Sequence, residues 1–302
     1  MQKIKYQLFL ILLTCVLLLF PEISIEGART GLILWSDTIV PTLLPFLLLT
    51  NLMNKYHALH CIAYVFYPLY HRFPDLNKDL AYTMVLGFFC GYPLGGKIIN
   101  DLVLSGSYTK KEGQCLLAIC NNVSPMFTIG YTLTLTLNKQ ISTPLFFLCL
   151  YLPNFIYMIL CICRFKDQGF FCTHSSQNNP SIPKSIDEII FDSLRSIFII
   201  GIYLMIFSMG ANILLQTHRF PILINFFIGV LEITTGITHF GNLFLPLTQK
   251  TAALCAISSL GGLCSVAQTW SVCKKSGLSV KKYLIIKCIF AFFSYLLALF
   301  FF

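Results

Sequence analysis

Apolar residues fall along this chain in long continuous runs. They do not alternate at a spacing of two, as they would in a barrel strand. Ten segments stand out, at about 6–20, 31–53, 59–71, 80–104, 112–136, 143–163, 189–215, 221–240, 250–273 and 283–302. A run such as 283–302 crosses a hydrocarbon core of about 30 Å at about 1.5 Å per helical residue. Inside lipid every backbone N–H and C=O must be paired within the protein, so spans without strand alternation are helices. The pattern predicts an all-α polytopic membrane protein with about eight to ten hydrophobic segments.

Several runs are too short or too broken to be plain spans. Segment 59–71 contains Pro68, and 31–53 contains Pro41 and Pro45. Segment 80–104 is interrupted by Gly87, Gly91, Pro93, Gly95 and Gly96, and 250–273 by Gly261 and Gly262. The polar stretch 164–188, with Gln168-Gly169, Asn179-Pro180 and Pro183, reads as a linker between two halves. A single shift of 171 residues carries Gly91, Ser105, Gly106, Lys110 and Lys111 onto Gly262, Ser276, Gly277, Lys281 and Lys282. The shared order is a broken apolar segment, a Ser-Gly stop, a two-Lys start and an apolar helix. Ser105-Gly106 fits a helix end with glycine in the left-handed region, and Thr109-x-x-Glu112 fits a capping box. The domains expected are an anchor helix over 1–28, a first repeat over 29–163, the linker over 164–188 and a second repeat over 189–302. Repeats with matched breaks point to a transporter-like site at their interface. Joints 104–112 and 274–282 on opposite sides would mark inverted repeats and favour transport; joints on the same side would weaken that reading.

Composition agrees with lipid as the solvent. Hydrophobic residues are 56% of the chain and charged residues 11%, against about 25% in a soluble domain. Mean hydropathy is +0.76. Lys3 and Lys5 precede an apolar run from Leu8 to Phe20, but 21–26 lacks a small-x-small cleavage site, so an uncleaved first helix is expected. The net charge of +9 is concentrated at Lys274-Lys275 and Lys281-Lys282. The positive-inside rule puts that joint on the cytoplasmic side. Lysines beside spans are topology signals and headgroup contacts, so the lipid bilayer and not nucleic acid is the expected partner. The thirteen Cys include no CxxC pair, and most lie inside apolar runs; His57 and His60 have no supporting cluster. No metal site, disulfide framework or cofactor is expected.

Polar residues near the breaks are the candidates for chemistry. In Gly91-Tyr92-Pro93-Leu94-Gly95-Gly96-Lys97, the proline suits the first turn of a half-helix with free N–H groups inside the protein. Lys97 and Asp101 share a face one turn apart. They read either as an anion or polar-solute site or as a self-neutralising pair. Asn121 and Asn122, followed by Ser124 and Pro125, read as a ligand site at a helix break or as interhelical glue. Glu232 is one carboxyl in an apolar segment, able to hold a proton or solute or to pair with a lysine or a half-helix end. Gln268 follows Gly261-Gly262 as Lys97 follows Gly91. Asp37, beside Trp35, reads as interfacial. HExxH, GxSxG and Walker A signatures are missing, and no enzyme activity is expected.

These residues carry a family resemblance. Gly31-x3-Trp35-x4-Val40-Pro41-Thr42-Leu43-Leu44-Pro45-Phe46, Gly91-Tyr92-Pro93-Leu94-Gly95-Gly96-Lys97, Cys120-Asn121-Asn122-x-Ser124-Pro125, Leu231-Glu232-Ile233-Thr234 and Gly261-Gly262-Leu263-x4-Gln268 follow one order over roughly 30–290. In them the chain resembles the YlbJ-like sporulation integral membrane proteins, which contain the "nucleoside recognition" Gate domain. That family tends to carry His two residues before the Gln, where this chain has Val266, which puts a polar role there in doubt. The resemblance implies a multi-pass protein of the bacterial cytoplasmic membrane with two Gate-like repeats, connected with sporulation and akin to nucleoside transporter gates. The function expected is binding or moving a small polar or anionic solute, nucleoside-like solutes included. Substrate-binding residues would be Lys97, Asp101, Asn121, Asn122, Ser124, Glu232 and Gln268, beside breaks at Gly91, Pro93, Gly95, Gly96, Pro125, Gly261 and Gly262. The alternative is a non-transporting assembly protein of the spore envelope. A homo-oligomer stays open.

Overall fold

The structure, a computed structural model, describes residues 17–56, 83–85, 87–89, 91–165, 185–216 and 221–302, with positions 7, 11, 14 and 15 before them. The expected segment at 59–71, most of the linker, and His57 and His60 lie outside the described residues. Among those described, every regular element is helical. In chain order they are α1 (Pro21–Leu34), a π-helical stretch Trp35–Ile39, α2 (Val40–Lys55), α3 (Leu94–Leu104), α4 (Lys110–Cys120), a turn Pro125–Phe127 leading into π-helical Thr128–Thr136, α5 (Thr143–Phe165), α6 (Ile186–Leu215), α7 (Pro221–Leu231), α8 (Ile233–Asn242), α9 (Leu247–Leu260), α10 (Gly262–Cys273) and α11 (Val280–Phe301).

The protein is an all-α polytopic membrane protein. Among the described residues, four helical stretches, Thr143–Arg164, Ile186–Leu215, Leu247–Cys273 and Val280–Phe301, are long and apolar enough to cross a bilayer, and the bent pair Pro21–Ile39 and Leu43–Met53 makes five where it is counted as one broken span. Their burial differs in a way that orders the bundle. The most apolar window of Leu247–Cys273 is 72% buried and that of Val280–Phe301 only 22%. The stretch α9–α10 is therefore the central post. Helix α11 lies at the perimeter and turns Ile285, Ile289, Phe292, Phe293 and Phe300 outward.

Helix α1 runs from the region expected as an anchor helix over 1–28 into the apolar segment expected at 31–53. Pro21 opens the helix, where its missing N–H costs nothing. Gly27 and Gly31 then lay α1 against α6: a Cβ on Gly27 would stand 2.7 Å from the Met209 Cα, and one on Gly31 2.9 Å from the Met205 Cα. Small residues one turn apart allow that approach in lipid. The Trp35 indole donates to the Ile197 carbonyl at 2.9 Å, fixing α1 to α6 a second time. Neighbouring Asp37 is exposed and accepts from the Ser36 hydroxyl.

The repeated features take matching forms. Gly91 and Gly262 have φ of 67° and 76°, and Gly106 and Gly277 have 78° and 69°. Thr109 and Glu112 close a full capping box on α4, and Ser279 caps α11. Helices α3 and α10 both run from the centre toward one lysine-rich end. There the joints meet: Gln114 Nε2 donates to Ser279 O at 3.0 Å, Ser279 N donates to Gln114 Oε1 at 2.7 Å, and Ser276 N donates to Asn100 Oδ1 at 3.2 Å. The two hairpins therefore point the same way and are not an inverted pair.

Candidate functional site

Four interruptions of helical backbone converge at the centre: 91–93, 121–124, the joint of α7 and α8 at Glu232, and the joint of α9 and α10 at Gly261. Tyr92 N donates to Asn122 O at 2.9 Å. A Cβ on Gly261 would strike the Tyr92 ring at 2.9 Å, and one on Gly262 would meet the backbone of Leu231, Glu232 and Ile233 at 3.2–3.3 Å. Backbone packs directly on backbone at Gly262, a ring packs on backbone at Gly261, and both residues have positive φ, so glycine is needed at each.

The donors and acceptors freed by the breaks are largely taken by protein groups. Asn121 is the principal junction. Its Oδ1 accepts from Gly96 N at 3.0 Å, and its Nδ2 donates to Thr269 Oγ1 at 2.7 Å and Tyr283 OH at 3.0 Å. Tyr283 OH donates in turn to Asn121 O at 3.1 Å. Val123 O accepts from Tyr151 OH at 2.8 Å. Ser124 caps the turn that Pro125 begins, accepting from Phe127 N. The expected free N–H groups at the start of α3 are also engaged. Gly95 N donates to Gly91 O, Gly96 N to Asn121 and Lys97 N to Pro93 O. Pro93 itself is the N-cap of α3, joined to Tyr92 by a cis peptide bond.

Five of the seven candidate binding residues fall into two chambers. Lys97 and Asp101 face a cleft of about 580 Å³ between α3, α6 and α10, together with Asp192, Arg195, Tyr203 and Lys275. It extends from Pro93 and Leu94 to the lysine-rich end, where Asp101 and Lys275 are exposed. Asp101 accepts from Asn100 Nδ2 at 3.0 Å, and among the described residues no ion pair joins it to Lys97. Glu232, Gln268 and Ser124 face a second, inner cavity of about 50 Å³. Gly91, Tyr92, Gly261, Cys264 and Ser265 complete its polar side, and Ile39, Leu43, Ile200 and Leu204 cover it with aliphatic side chains. The segment 91–94 separates the chambers: Pro93 and Leu94 line the cleft, Gly91 and Tyr92 the cavity. Neither Asn121 nor Asn122 lines either chamber.

Glu232 sits in extended backbone as the N-cap of α8 and is 1% exposed. Its Oε1 accepts from Thr234 N at 2.9 Å, and its Oε2 from Thr235 N at 2.7 Å and from the Thr234 hydroxyl. The carboxylate thus fixes its own helix start. Gln268 is buried, and its Nε2 approaches Cys264 Sγ at 3.4 Å.

The sequence pattern should have flagged Lys287. It is fully buried in α11 and donates to Asn122 Oδ1 at 2.6 Å, with the Phe290 ring 5.8 Å away. An ionisable residue inside a span marks function by default, and 283–302 contains one. Arg195 gave a similar signal inside 189–215. Tyr92, Thr269 and Tyr283 gave none, because only tertiary contact singles them out.

No protein-family model and no solved structure matches the chain. Over 122 residues it is 25% identical to the sporulation integral membrane protein YlbJ of Bacillus subtilis (strain 168). The match covers 40% of this chain and 30% of that protein, so the chain spans about a third of the curated relative's length. By that stretch the chain is a distant relative of a sporulation-associated integral membrane protein.

Proposed function

We propose that the chain is a non-enzymatic, transporter-like protein of the bacterial cytoplasmic membrane, connected with sporulation, whose cleft takes a small anionic solute. One observation carries this reading: a cleft of about 580 Å³ ends at the Tyr92-Pro93 break, directly before a buried carboxylate cavity. Ligand pockets run to about 300–1,000 Å³, so the cleft is of solute size. Its charged lining is Lys97, Arg195 and Lys275 against Asp101 and Asp192, a balance that favours a carboxylate or phosphate group. The positive-inside rule would open it to the cytoplasm. The hairpins point the same way, which removes the support that inverted repeats would give. Parallel repeats also occur in transporters, and the reading rests on the chambers.

Reconstituted into liposomes, the protein is expected to accumulate labelled small carboxylates or phosphate esters. Uptake should be lost in Lys97→Ala and Arg195→Ala variants that keep the wild-type melting profile. Uptake that survives both changes rejects the cleft as the solute site.

A second reading, a non-transporting assembly protein of the spore envelope with no nucleoside-type activity, has one observation in its favour. Asn121, Asn122 and the N–H groups of α3 are occupied as interhelical glue. Co-purification of a stable partner, with cleft substitutions silent, would select it.

A further inference from the structure

We propose that the inner cavity is a binding site for a monovalent cation of the sodium class, with Glu232 as its charged ligand. The inference deepens the transport reading, because such an ion would couple to movement of the solute.

Size comes first. A cavity of about 50 Å³ is far below solute size, yet a water-sized body needs only about 10–15 Å³. Charge comes second. Two N–H groups and one hydroxyl donate to the Glu232 carboxyl group. Yet the carboxylate is 1% exposed, and among the described residues no Lys, Arg or His lies within ion-pair reach of it. A buried anion without a counter-charge is costly, and Oε1, with a single donor, keeps an accepting position free. Lys287, the other buried charge nearby, is engaged by Asn122 and does not line the cavity.

Donor chemistry comes third. The Tyr92 hydroxyl is buried without a hydrogen-bond partner and belongs to the lining. The Ser265 hydroxyl donates to Gly262 O, which leaves its lone pairs for a ligand. The Gln268 carboxamide has its nitrogen directed at Cys264, so its oxygen is available. One carboxylate among neutral oxygens suits a single positive charge. Calcium sites gather six to eight oxygens with several carboxylates, and no His/Cys/Asp/Glu metal cluster occurs among the described residues.

The test is binding of ²²Na⁺ to the purified full chain in detergent, at constant ionic strength with choline as the replacement ion. Melting midpoints in sodium, potassium and choline are read alongside. Saturable binding and a sodium-specific rise in midpoint are expected. Glu232→Gln should weaken binding by about tenfold or more, and Tyr92→Phe, which keeps the ring packed on Gly261, by a smaller factor. Lys97→Ala and Arg195→Ala should bind sodium as the wild type does, even if they transport nothing, so failure of the solute site and failure of the ion site are separable. Sodium binding unchanged in Glu232→Gln would place the ion elsewhere. Equal midpoints in all three salts, with a midpoint that follows pH alone, would make Glu232 a proton site. Potassium that protects as well as sodium would remove the selectivity. Each of these three results overturns the proposal. Should Glu232→Gln fail to fold, Tyr92→Phe and Gln268→Ala carry the same comparison.

Discussion

The two hairpins, α3–α4 and α10–α11, share their entry and their turn but not their exit. Both begin beside a glycine at positive φ, and both turn at a left-handed glycine, Gly106 or Gly277. Helix α4 then stops at Cys120, while α11 continues without a break to Phe301. The repeat shift that pairs Gly91 with Gly262 pairs Asn121 and Asn122 with Phe292 and Phe293, which face outward. It also pairs Leu116 with Lys287. The unbroken helix thus supplies what the broken one requires: Tyr283 serves Asn121, and Lys287 serves Asn122. The repeated part builds a frame, and the unequal part builds the centre.

The largest expected effect separates the unequal positions. Asn121→Ala leaves Gly96 N unpaired and removes one hydrogen bond each from Thr269 and Tyr283, whose hydroxyls keep Ser265 O and Asn121 O; at about 1–3 kcal/mol for the unpaired group and about 0.5–1.5 kcal/mol for each lost bond, it should cost about 2–6 kcal/mol. Phe292→Ala, at the equivalent place on the lipid side, should cost a small fraction of that. Denaturant titration of the two variants in detergent measures both, and equal losses would contradict the assignment of Asn121 as the junction. Next comes the service between helices. A double-mutant cycle of Asn122→Leu and Lys287→Met should show a coupling of about 1–3 kcal/mol, whereas additive losses would mean that Lys287 stabilises α11 on its own. The smallest effect tests the shared part. Gly106→Ala and Gly277→Ala should each cost about 1–2 kcal/mol, because each forces a side chain into the left-handed region. Gly106 has open space around it, so its cost is purely conformational. A much larger loss at Gly277 would show that the two turns are not equivalent.

What was legible in the sequence was local. The capping box at Thr109, the stop at Gly106 and the helix start after Pro93 each depend on residues within one turn, and each takes the expected form. The close packing of α1 on α6 was not legible, because it depends on Met205 and Met209, far along the chain. The candidate site was half legible. Its residues do lie around the breaks, but their division into a cleft and a cavity depends on segment 91–94 standing between them. Of the two readings of Lys97 and Asp101, the self-neutralising pair does not form; Asp101 accepts from Asn100 instead, a choice of rotamer and not of spacing. Partners of Asn121 lie 148 and 162 residues away, beyond any local pattern.

The double hydrogen bond between Gln114 and Ser279 has a kinematic consequence. A side-chain amide that both donates to and accepts from one backbone unit resists sliding as well as separation. The two hairpins are thereby braced against each other at their turns. Helix α6 forms the opposite wall of both chambers. Helix α6 contributes Asp192, Arg195 and Tyr203 to the cleft and Ile200 and Leu204 to the cover of the cavity. Any displacement of that single helix would change the width of both chambers together.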